Sequence, residues 1–375
     1  MIKQALKYLS FSFLFCSFYV QSDNAISKII APDGFVVDLF AKNLDRPRQM
    51  AESANGWIFV ASKSRDAKGV IYAIKDTDRN GKVDSKRIIA NNLYLSSGVA
   101  FHQGDLFFSE VDKIWKIKDI DEWLDTNKTE YPTKALVFDG LPKDSWHGYK
   151  WLMVDIEGDI YLNVGAPCNV CIKDDDRYST ILKIENNQVL KILARGVRNS
   201  VGFDWSPVDG KLYFTDNGRD WMGDDIPSCE LNRLDFEGEF FGFPYLHATD
   251  VIDPDFGHIE HGYAVKKPLL ELGAHVAPTG MAFYDKDLFP NKYLNSAFIT
   301  LHGSWNRSKK VGYKVINVQF DSQGSIIGVE DFLTGFLDNE KAWGRPGAPY
   351  VMNDGSLLIS DDKSGNIYRV IPANP

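Results

Sequence analysis

The sequence has too few positive charges for a nucleic-acid-binding protein. Its 42 Lys and Arg residues stand against 51 Asp and Glu residues, which gives a formal net charge of −9. Nucleic-acid binders need clustered cations to displace counterions, so nucleic acid is excluded as a partner. Anionic small molecules remain possible ligands, because local arginines can hold them in an acidic protein. The chain also lacks a Cys-x-x-Cys-His haem motif and a Pro/Ser-rich linker that would mark a domain boundary.

Long apolar runs are scarce, and the clearest one covers residues 9–20. At about a dozen residues it is too short for a membrane-spanning helix, so stable membrane insertion is not expected. Two lysines precede it and the small Ala25 follows, which predicts a secretory signal peptide over residues 1–25 and a periplasmic or secreted protein. The alternatives are a buried N-terminal strand and a lipoprotein anchor at Cys16, which the bulky Phe15 disfavours.

Cysteine is also scarce, with four in the chain and three after removal of the predicted signal peptide. In an oxidising compartment Cys168 and Cys171 are close enough in sequence to form a small local disulfide, which leaves Cys229 unpaired. Redox catalysis and zinc binding are alternatives for this pair. Zinc would need two further ligands at suitable spacing, and none is evident nearby. The sequence therefore favours a structural disulfide.

Apolar residues make up 44% of the chain and aromatic residues 13%, so it can bury a large core. A short phrase recurs through it: a Gly or Asn turn, a β-rich apolar run, then a polar residue. Such a phrase is typical of a strand entered from a tight turn. The copies cover residues 56–62, 104–110, 158–165, 210–216, 295–302 and 355–361.

Each repeat unit has room for one four-stranded antiparallel sheet. Six such sheets predict an all-β fold, a six-bladed β-propeller that fills residues 26–375 as one domain. A propeller gathers the same end of every blade around one axis. The polar residues that close the repeated strands are therefore expected to face one shared cleft, with the chemistry on the third, fourth and sixth copies and a mainly structural role for the first two.

Polar side chains cluster around the later copies. Residues 194–205 contain Arg198 and Asn199 before a strand of the fourth blade, and residues 216–225 follow the next strand. His147 precedes the third copy, where a histidine of near-neutral pKa beside an arginine is a candidate proton acceptor. The last two copies supply further cationic and aromatic side chains that suit a planar ligand with carboxylates: His275, His302, Arg307, Trp343 and Arg345.

These segments resemble a known family. The runs at 195–205, 215–221, 230–232, 241–244 and 301–307 are similar to those of the sorbosone dehydrogenase group, within the soluble glucose/sorbosone dehydrogenase family of quinoproteins. The likeness covers roughly residues 30–372 in the same order. It implies a six-bladed propeller that holds pyrroloquinoline quinone (PQQ) and Ca²⁺ on its axis, oxidises an aldose or sugar aldehyde, and passes electrons to an external acceptor such as a quinone, a dye or a separate cytochrome.

The resemblance also implies roles for individual residues. His147 matches the catalytic base, which takes the hydroxyl proton while hydride leaves for the quinone. Arg198 matches the arginine that stabilises charge on the quinone oxygen, and Asn199 a cofactor-binding asparagine. Gly218 and Arg219 match the residues whose backbone carbonyls bind calcium. Four further residues are candidates for cofactor binding: Arg345, Trp343, His302 and Arg307. Arg345 matches an arginine that pairs with a cofactor carboxylate, and Trp343 stands where a second arginine is expected. The family's cofactor-binding lysine has no clear match near His302.

Residues 76–84 have the acid, Asn and Gly spacing of a calcium loop. Arg87 replaces the acid that closes such a loop, so the sequence favours a hairpin turn, with surface calcium left open. Two other functions also stay open for the whole chain: a calcium-dependent lactonase, and a non-catalytic propeller that binds a glycan or a protein.

Overall fold

The computed structural model describes residues 26–126 and 128–373. The predicted signal peptide at residues 1–25 lies outside this range. Within it, no helix is long and apolar enough to cross a membrane. The prediction of a six-bladed β-propeller with four-stranded antiparallel blades is confirmed.

The blades follow one another along the chain, each running from its innermost to its outermost strand. The first blade comprises β2 Pro47–Glu52, β3 Ile58–Ser62, β4 Gly69–Lys75 and β5 Ser85–Leu93, and the second comprises β6 Val99–His102, β7 Asp105–Ser109, β8 Lys113–Ile117 and β9 Ala135–Asp139. The third blade comprises β10 Leu152–Val154, β11 Ile160–Val164, β12 Thr180–Glu185 and β13 Val189–Arg195, and the fourth comprises β14 Phe203–Trp205, β15 Leu212–Asp216, β16 Ser228–Leu234 and β20 Leu270–Ala274. The fifth blade comprises β21 Pro278–Phe283, β22 Ala297–Leu301, β23 Lys314–Phe320 and β24 Ile326–Leu333, and the sixth comprises β27 Pro346–Val351, β28 Leu357–Asp361, β29 Asn366–Pro372 and β1 Phe35–Ala41.

Shorter elements decorate this ring. The longer gap between the fourth and fifth copies of the repeat is filled by an insertion between β16 and β20, and part of it adds to the third blade as a parallel strand. The additional elements are β17 Glu239–Phe240, β18 Leu246–His247, β19 Val251–Ile252, β25 Leu337–Asp338, β26 Lys341–Ala342, an α-helix over Ile120–Leu124 and a 3₁₀-helix over Asn291–Tyr293.

Every copy of the repeat forms the second strand of its blade. These strands are β3, β7, β11, β15, β22 and β28, and their apolar residues are almost all buried. A neighbouring blade packs on each face, so both faces of the strand need apolar side chains. The packing explains why the repeat is a nearly continuous apolar run rather than an alternation of apolar and polar residues.

One buried hydrophobic cluster fills each interface between neighbouring blades. In order around the ring, these clusters include the pairs Phe59 and Phe108, Phe107 and Leu182, Ile181 and Phe214, Leu231 and Ile299, Phe298 and Leu357, and Leu358 and Ile58. The last pair joins the sixth blade to the first. The propeller core is therefore a closed circle of packed interfaces.

The N-terminal strand β1 closes the ring. It pairs antiparallel with β29 as the outermost strand of the sixth blade, with Phe35 opposite Pro372. Phe35 also contacts Phe289, Tyr293 and Phe332, with ring centroids 4.8, 5.4 and 5.3 Å away. The first described strand thus ties the last blade to the one before it.

Two local predictions are confirmed. Cys168 and Cys171 form a disulfide, and Cys229 is a buried free thiol. Residues 76–84 form the turn between β4 and β5. In that turn the acidic oxygens of Asp76, Asp78 and Asp84 lie within 4.8 Å of one another.

Candidate functional site

Polar residues from several blades meet in one cleft on the propeller axis, as the repeat predicts. The cleft has two lobes of about 600 and 390 Å³. We call them the Arg198 lobe, which also contains Gly218, Asp220 and His275, and the Arg345 lobe, which also contains His302. Residues that line both lobes include Arg65, His147, Asn199, Asn217, Ala277 and Trp305.

His147 lies where the two lobes meet. Its Nδ1 is 2.8 Å from the carbonyl oxygen of Ala166, which can only accept a hydrogen bond, so Nδ1 carries the proton. Nε2 therefore carries no proton, and its lone pair accepts a hydrogen bond of 3.1 Å from the indole Nε1 of Trp146. Burial lowers the pKa of His147 well below its usual value, and the charge of Arg198 lowers it further. The side chain is therefore a neutral base with its lone pair facing the cleft.

Close packing holds His147 in place. Its backbone φ is +52°, a left-handed conformation that is uncommon for a residue other than glycine. A Cβ atom at Gly165 would lie 2.6 Å from the Cβ of His147 and 3.1 Å from Oδ1 of Asn199. Gly165 ends the third copy of the repeat, so this copy positions His147 by leaving room for it.

Arg198 is buried and its guanidinium faces the Arg198 lobe. It donates to the carbonyl oxygens of Asn169 and Asn217 at 2.9 and 3.1 Å, and pairs with Asp220 at 3.2 Å. Burial lowers the pKa of Arg198, opposed by the charge of Asp220. The guanidinium stays charged because arginine is too strong a base to lose its proton in a protein.

Asp216, the last residue of β15, anchors the Arg198–Asn199 segment. Its carboxylate accepts the backbone N–H groups of Arg198 at 2.8 Å and of Asn199 at 2.6 Å. Burial raises the pKa of Asp216, while these two donors oppose the shift. The Asn199 side chain lines both lobes, and its Oδ1 is buried without a hydrogen-bond partner among the described residues. A bound group could donate the hydrogen bond that this buried oxygen lacks.

Gly218 and Arg219 follow β15 at the edge of the Arg198 lobe. The carbonyl oxygens on either side of them, of Asn217 and Asp220, accept hydrogen bonds from Arg198 and Asn169. Within the described chain, no donor bonds the carbonyl oxygens of Gly218 or Arg219. The Arg219 side chain turns away to pair with Asp253 and Asp255. Both backbone oxygens are therefore without a donor among the described residues, and Gly218, but not Arg219, lines the Arg198 lobe.

Arg345 and His302 lie together in the Arg345 lobe. Arg345 donates through Nε to the carbonyl oxygen of His302 at 3.0 Å and stacks 5.3 Å from the ring centroid of Tyr313. His302 Nε2 donates to Asp362 at 2.8 Å. Burial lowers the pKa of His302 to about 3 against the opposing charge of Asp362, so His302 is neutral.

Two other candidates lie away from the cleft. Arg307 bonds the carbonyl oxygen of Asp224 and pairs with Asp225 at 2.9 Å. Trp343 donates to the carbonyl oxygen of Gly335 at 2.6 Å and stacks on Phe336 at 5.4 Å. Neither side chain lines a lobe. Both groups are engaged by neighbouring loops.

The Arg345 lobe also holds Arg48, Lys63 and Lys150, basic residues that were not among the predicted site residues. Arg48 and Lys63 of the first blade pair with Asp362 at 2.8 and 3.3 Å. Lys150 is buried with one hydrogen bond, to the carbonyl oxygen of Gly148 at 3.0 Å, and burial lowers its pKa to about 7. The one sequence feature that could have indicated these cations is Lys63, which directly follows Ser62 at the end of the first copy of the repeat. The first blade, expected to be mainly structural, thus contributes two cations to the lining of the Arg345 lobe.

Indole rings surround the mouth of the cleft. Trp146 and Trp305 line the cleft and are 51% and 63% exposed. The exposed faces of these two indoles are therefore accessible to a ligand. Trp221, which is 66% exposed, meets Trp305 edge to face at 5.2 Å. Such rings stack on flat or apolar ligand faces.

Gln49 closes the other end of the Arg345 lobe. It is buried, donates to the carbonyl oxygen of Leu152 at 2.7 Å and accepts from the backbone N–H groups of Leu152 and Val99 at 2.9 and 3.2 Å. With Trp151, it also lines a separate cavity of about 350 Å³ at the opposite end of the axis. These two side chains form a floor between the cleft and that cavity.

The fold and the cleft define the class of protein: a six-bladed β-propeller whose axial cleft holds a neutral histidine and buried cations. The chain belongs to the same family as an uncharacterized protein of Borreliella burgdorferi. The two are 35% identical over 378 residues, which cover 96% of this chain and 94% of that protein. Residues 260–372 also match the TrAA12-like family model.

Solved structures share the fold over nearly the whole chain. The family AA12 carbohydrate-active enzyme of Trichoderma reesei has a TM-score of 0.74 at 19% identity, covering 92% of this chain and 98% of that chain. The PQQ domain of a pyranose dehydrogenase from Coprinopsis cinerea, in its holo form, has a TM-score of 0.74 at 20% identity, covering 92% and 97%. The apo aldose sugar dehydrogenase of Escherichia coli has a TM-score of 0.65 at 17% identity, covering 90% and 99%.

Proposed function

We propose that the protein is a PQQ-dependent dehydrogenase that oxidises an aldose or sugar aldehyde, as the sorbosone/glucose dehydrogenase resemblance implies. The observation that carries the proposal is His147: a neutral imidazole that lines the cleft beside the buried guanidinium of Arg198, with an unprotonated Nε2 that accepts only from the partly exposed Trp146 among the described residues. Similar folds in a holo PQQ domain of a pyranose dehydrogenase and in a PQQ-bound aldose sugar dehydrogenase from Streptomyces coelicolor support it.

The residues of the cleft fit an anionic, planar cofactor. Arg345, Arg48 and Lys63 offer cations for carboxylates, and the buried Asp361 and Asp362 lie beside them. Lys150, whose pKa burial lowers to about 7, would gain its charge beside a bound carboxylate. Arginine pairs with carboxylates through two parallel hydrogen bonds. Asn199 would bind the cofactor through its orphaned amide oxygen or the neighbouring amide nitrogen. His302, already bonded to Asp362, would orient that carboxylate rather than contact cofactor directly.

A calcium ion fits beside the Arg198 lobe. Calcium prefers hard oxygen ligands, and backbone carbonyls are common among them. The free carbonyl oxygens of Gly218 and Arg219 would bind it. A T. reesei relative in fold has a calcium structure, which agrees with this proposal.

The protein's part in the reaction follows from its side chains. When bound, PQQ supplies an acceptor for the hydride that leaves the sugar carbon. His147 Nε2 takes the proton of the sugar hydroxyl, and Nδ1 keeps its own proton on the carbonyl of Ala166. Trp146 must leave Nε2 for this step. The Arg198 guanidinium offsets negative charge that develops in the Arg198 lobe.

The indoles at the mouth would bind the sugar. Trp146 and Trp305 present flat apolar faces next to His147, and Arg65 adds hydrogen-bond donors. A sugar stacked there places a ring hydroxyl toward the base. Electrons then pass to an external acceptor, and the predicted signal peptide implies that this happens in the periplasm or outside the cell.

A calcium-dependent lactonase is the weaker alternative. Such an enzyme holds its ion with side-chain carboxylates and amides from several blades. Among the described residues, the acid cluster that could hold a metal lies in the turn of residues 76–84 and not on the axis. A non-catalytic propeller would not need a base held in one tautomer.

The test is reconstitution. Addition of PQQ and Ca²⁺ to the cofactor-free protein is expected to give bound-quinone absorbance and sugar-dependent reduction of a dye. His147→Gln should keep the absorbance but lower kcat by about 100-fold or more, because it removes the general base. Lactone hydrolysis without any response to PQQ would overturn the proposal, as would full activity of the His147→Gln variant.

A further inference from the structure

The loop between β11 and β12 contains an asparagine that the proposed reaction does not use. Asn169 lies inside the small ring closed by the Cys168–Cys171 disulfide. Its side-chain Oδ1 accepts from Nη2 of Arg198 at 2.9 Å, and its carbonyl oxygen accepts from Nε of Arg198 at 2.9 Å. Asn169 thus accepts from two nitrogens along one edge of the guanidinium.

Asn169 binds Asp220 in the same way. Its Nδ2 donates to the carbonyl oxygen of Asp220 at 3.0 Å, and its Oδ1 accepts from the backbone N–H of Asp220 at 2.9 Å. Asp220 is the carboxylate that pairs with Arg198. Asn169 therefore fixes the arginine and its counter-ion together.

The same loop also holds His147. The carbonyl oxygen of Ala166 accepts from His147 Nδ1 at 2.8 Å, and the N–H of Ala166 donates to the carbonyl oxygen of Arg198 at 2.8 Å. Three residues after Ala166, the chain returns to Arg198 through Asn169. A covalent cross-link favours such contacts in a loop outside the strands, because it reduces the backbone freedom that the loop loses when it is ordered.

We propose that Asn169 is a positioning residue for Arg198, and that the Cys168–Cys171 disulfide holds it there, so that reduction of this disulfide loosens the site. A dithiol reductant transfers two electrons and two protons to the disulfide, giving two thiols and an oxidised cyclic disulfide. Both cysteines are partly exposed, so a reductant can reach them, whereas Cys229 is buried.

The proposal rests on the proposed function for the role of Arg198, but its first test needs no turnover. Burial lowers the pKa of His147 most, and the charges of Arg198 and Arg65 lower it further. If Arg198 moves away, the pKa of His147 loses that part of its shift and rises, while burial still holds it below the ordinary value. NMR titration of His147 in the cofactor-free protein reports this directly.

The experiment compares four samples: the untreated protein, the protein after dithiothreitol, the Asn169→Ala variant, and the Cys168→Ser/Cys171→Ser double variant. The last three are expected to show a raised pKa of His147, and the reconstituted enzymes a kcat/KM lowered about 10- to 100-fold. Dithiothreitol should have no further effect on the double variant. Val170→Ala, in the same disulfide ring, removes none of the side-chain hydrogen bonds that Arg198 makes with the described residues, and as the matched control it should behave as the parent protein.

The outcomes separate the two proposals. A raised pKa of His147 in a protein that never turns over sugar supports the positioning role and counts against the dehydrogenase. An unchanged pKa and kcat/KM after complete reduction, verified by thiol counting, would overturn the positioning role. Because reduction acts on the folded parent protein, a variant that fails to fold does not decide the result.

Discussion

At the scale of single residues, the proposed reaction depends on His147 being neutral. Burial and the charge of Arg198 hold its pKa well below the ordinary value of about 6.5. A base works only when it is unprotonated, so a lowered pKa moves the loss of activity to lower pH. His147 should therefore remain competent in weakly acidic solution.

We predict that kcat/KM of the reconstituted enzyme keeps its plateau from neutral pH to below about pH 6.5 before falling. The pH dependence of kcat/KM for sugar-driven dye reduction measures this. In Arg198→Lys the charge remains and the acid limb should shift little. In Arg198→Met the limb should move to higher pH. A limb at or above pH 6.5 in the parent enzyme would contradict a lowered pKa.

Gly165 gives a second prediction at this scale. Its φ lies outside the left-handed region, so Gly165→Ala introduces crowding without backbone strain. The new Cβ would meet His147 and Asn199, and kcat should fall about tenfold or more because the base is displaced. Gly69→Ala crowds Ser96 and the carbonyl oxygen of Leu93 away from the cleft. Thermal unfolding and steady-state kinetics of both variants separate the two effects: both should lose stability, but only Gly165→Ala should lose most of its activity.

At the scale of strands and loops, the end of β15 organises the cleft. We predict that Asp216→Ala lowers the free energy of unfolding by about 2–4 kcal/mol, because two buried N–H groups lose their acceptor. It should also weaken PQQ binding. Urea unfolding and cofactor titration measure both quantities.

Asp105→Ala is the control for that change. Asp105 begins β7 and forms a partly exposed ion pair with Lys116 at 2.8 Å, a pair worth less than about 1 kcal/mol. It should leave cofactor affinity unchanged. If Asp216→Ala and Asp105→Ala changed the free energy of unfolding and the PQQ affinity equally, Asp216 would have no special role in the cleft.

The blades were predictable because each copy of the repeat carries its own turn and apolar run. Convergence of His147, Arg198 and Asn199 was also predictable, since polar residues at equivalent strand ends meet at one axis. Arg48 and Lys63 were missed because their partner Asp362 is about 300 residues away in sequence, and only ring closure brings them together. Arg307 and Trp343 have suitable side chains, but loop contacts that no local pattern encodes turn them away from the cleft.

At the scale of the whole molecule, the ring depends on β1. We predict that Phe35→Ala lowers the free energy of unfolding by about 2–3 kcal/mol, less than for a fully buried phenylalanine because Phe35 keeps some exposure. Val36, on the other face of β1 and 38% exposed, is the control, and Val36→Ala should change stability by no more than about 0.5 kcal/mol.

Far-UV circular dichroism and tryptophan fluorescence measure the two variants in urea. Since the six interfaces form a closed circle, the Phe35→Ala transitions from both probes should shift together. A separate early transition in one probe would indicate that the last blade opens independently and that β1 stabilises only its neighbourhood.

Gln49 and Trp151 separate the Arg345 lobe from the cavity at the other end of the axis. In the proposed reaction, cofactor, sugar and electron acceptor would therefore reach the cleft from the side that Trp146 and Trp305 line. A sugar beside His147 would obstruct the path to the Arg345 lobe, so the cofactor would have to load first. Product would then have to leave before an acceptor approached, so an excess of sugar would slow reduction of the acceptor.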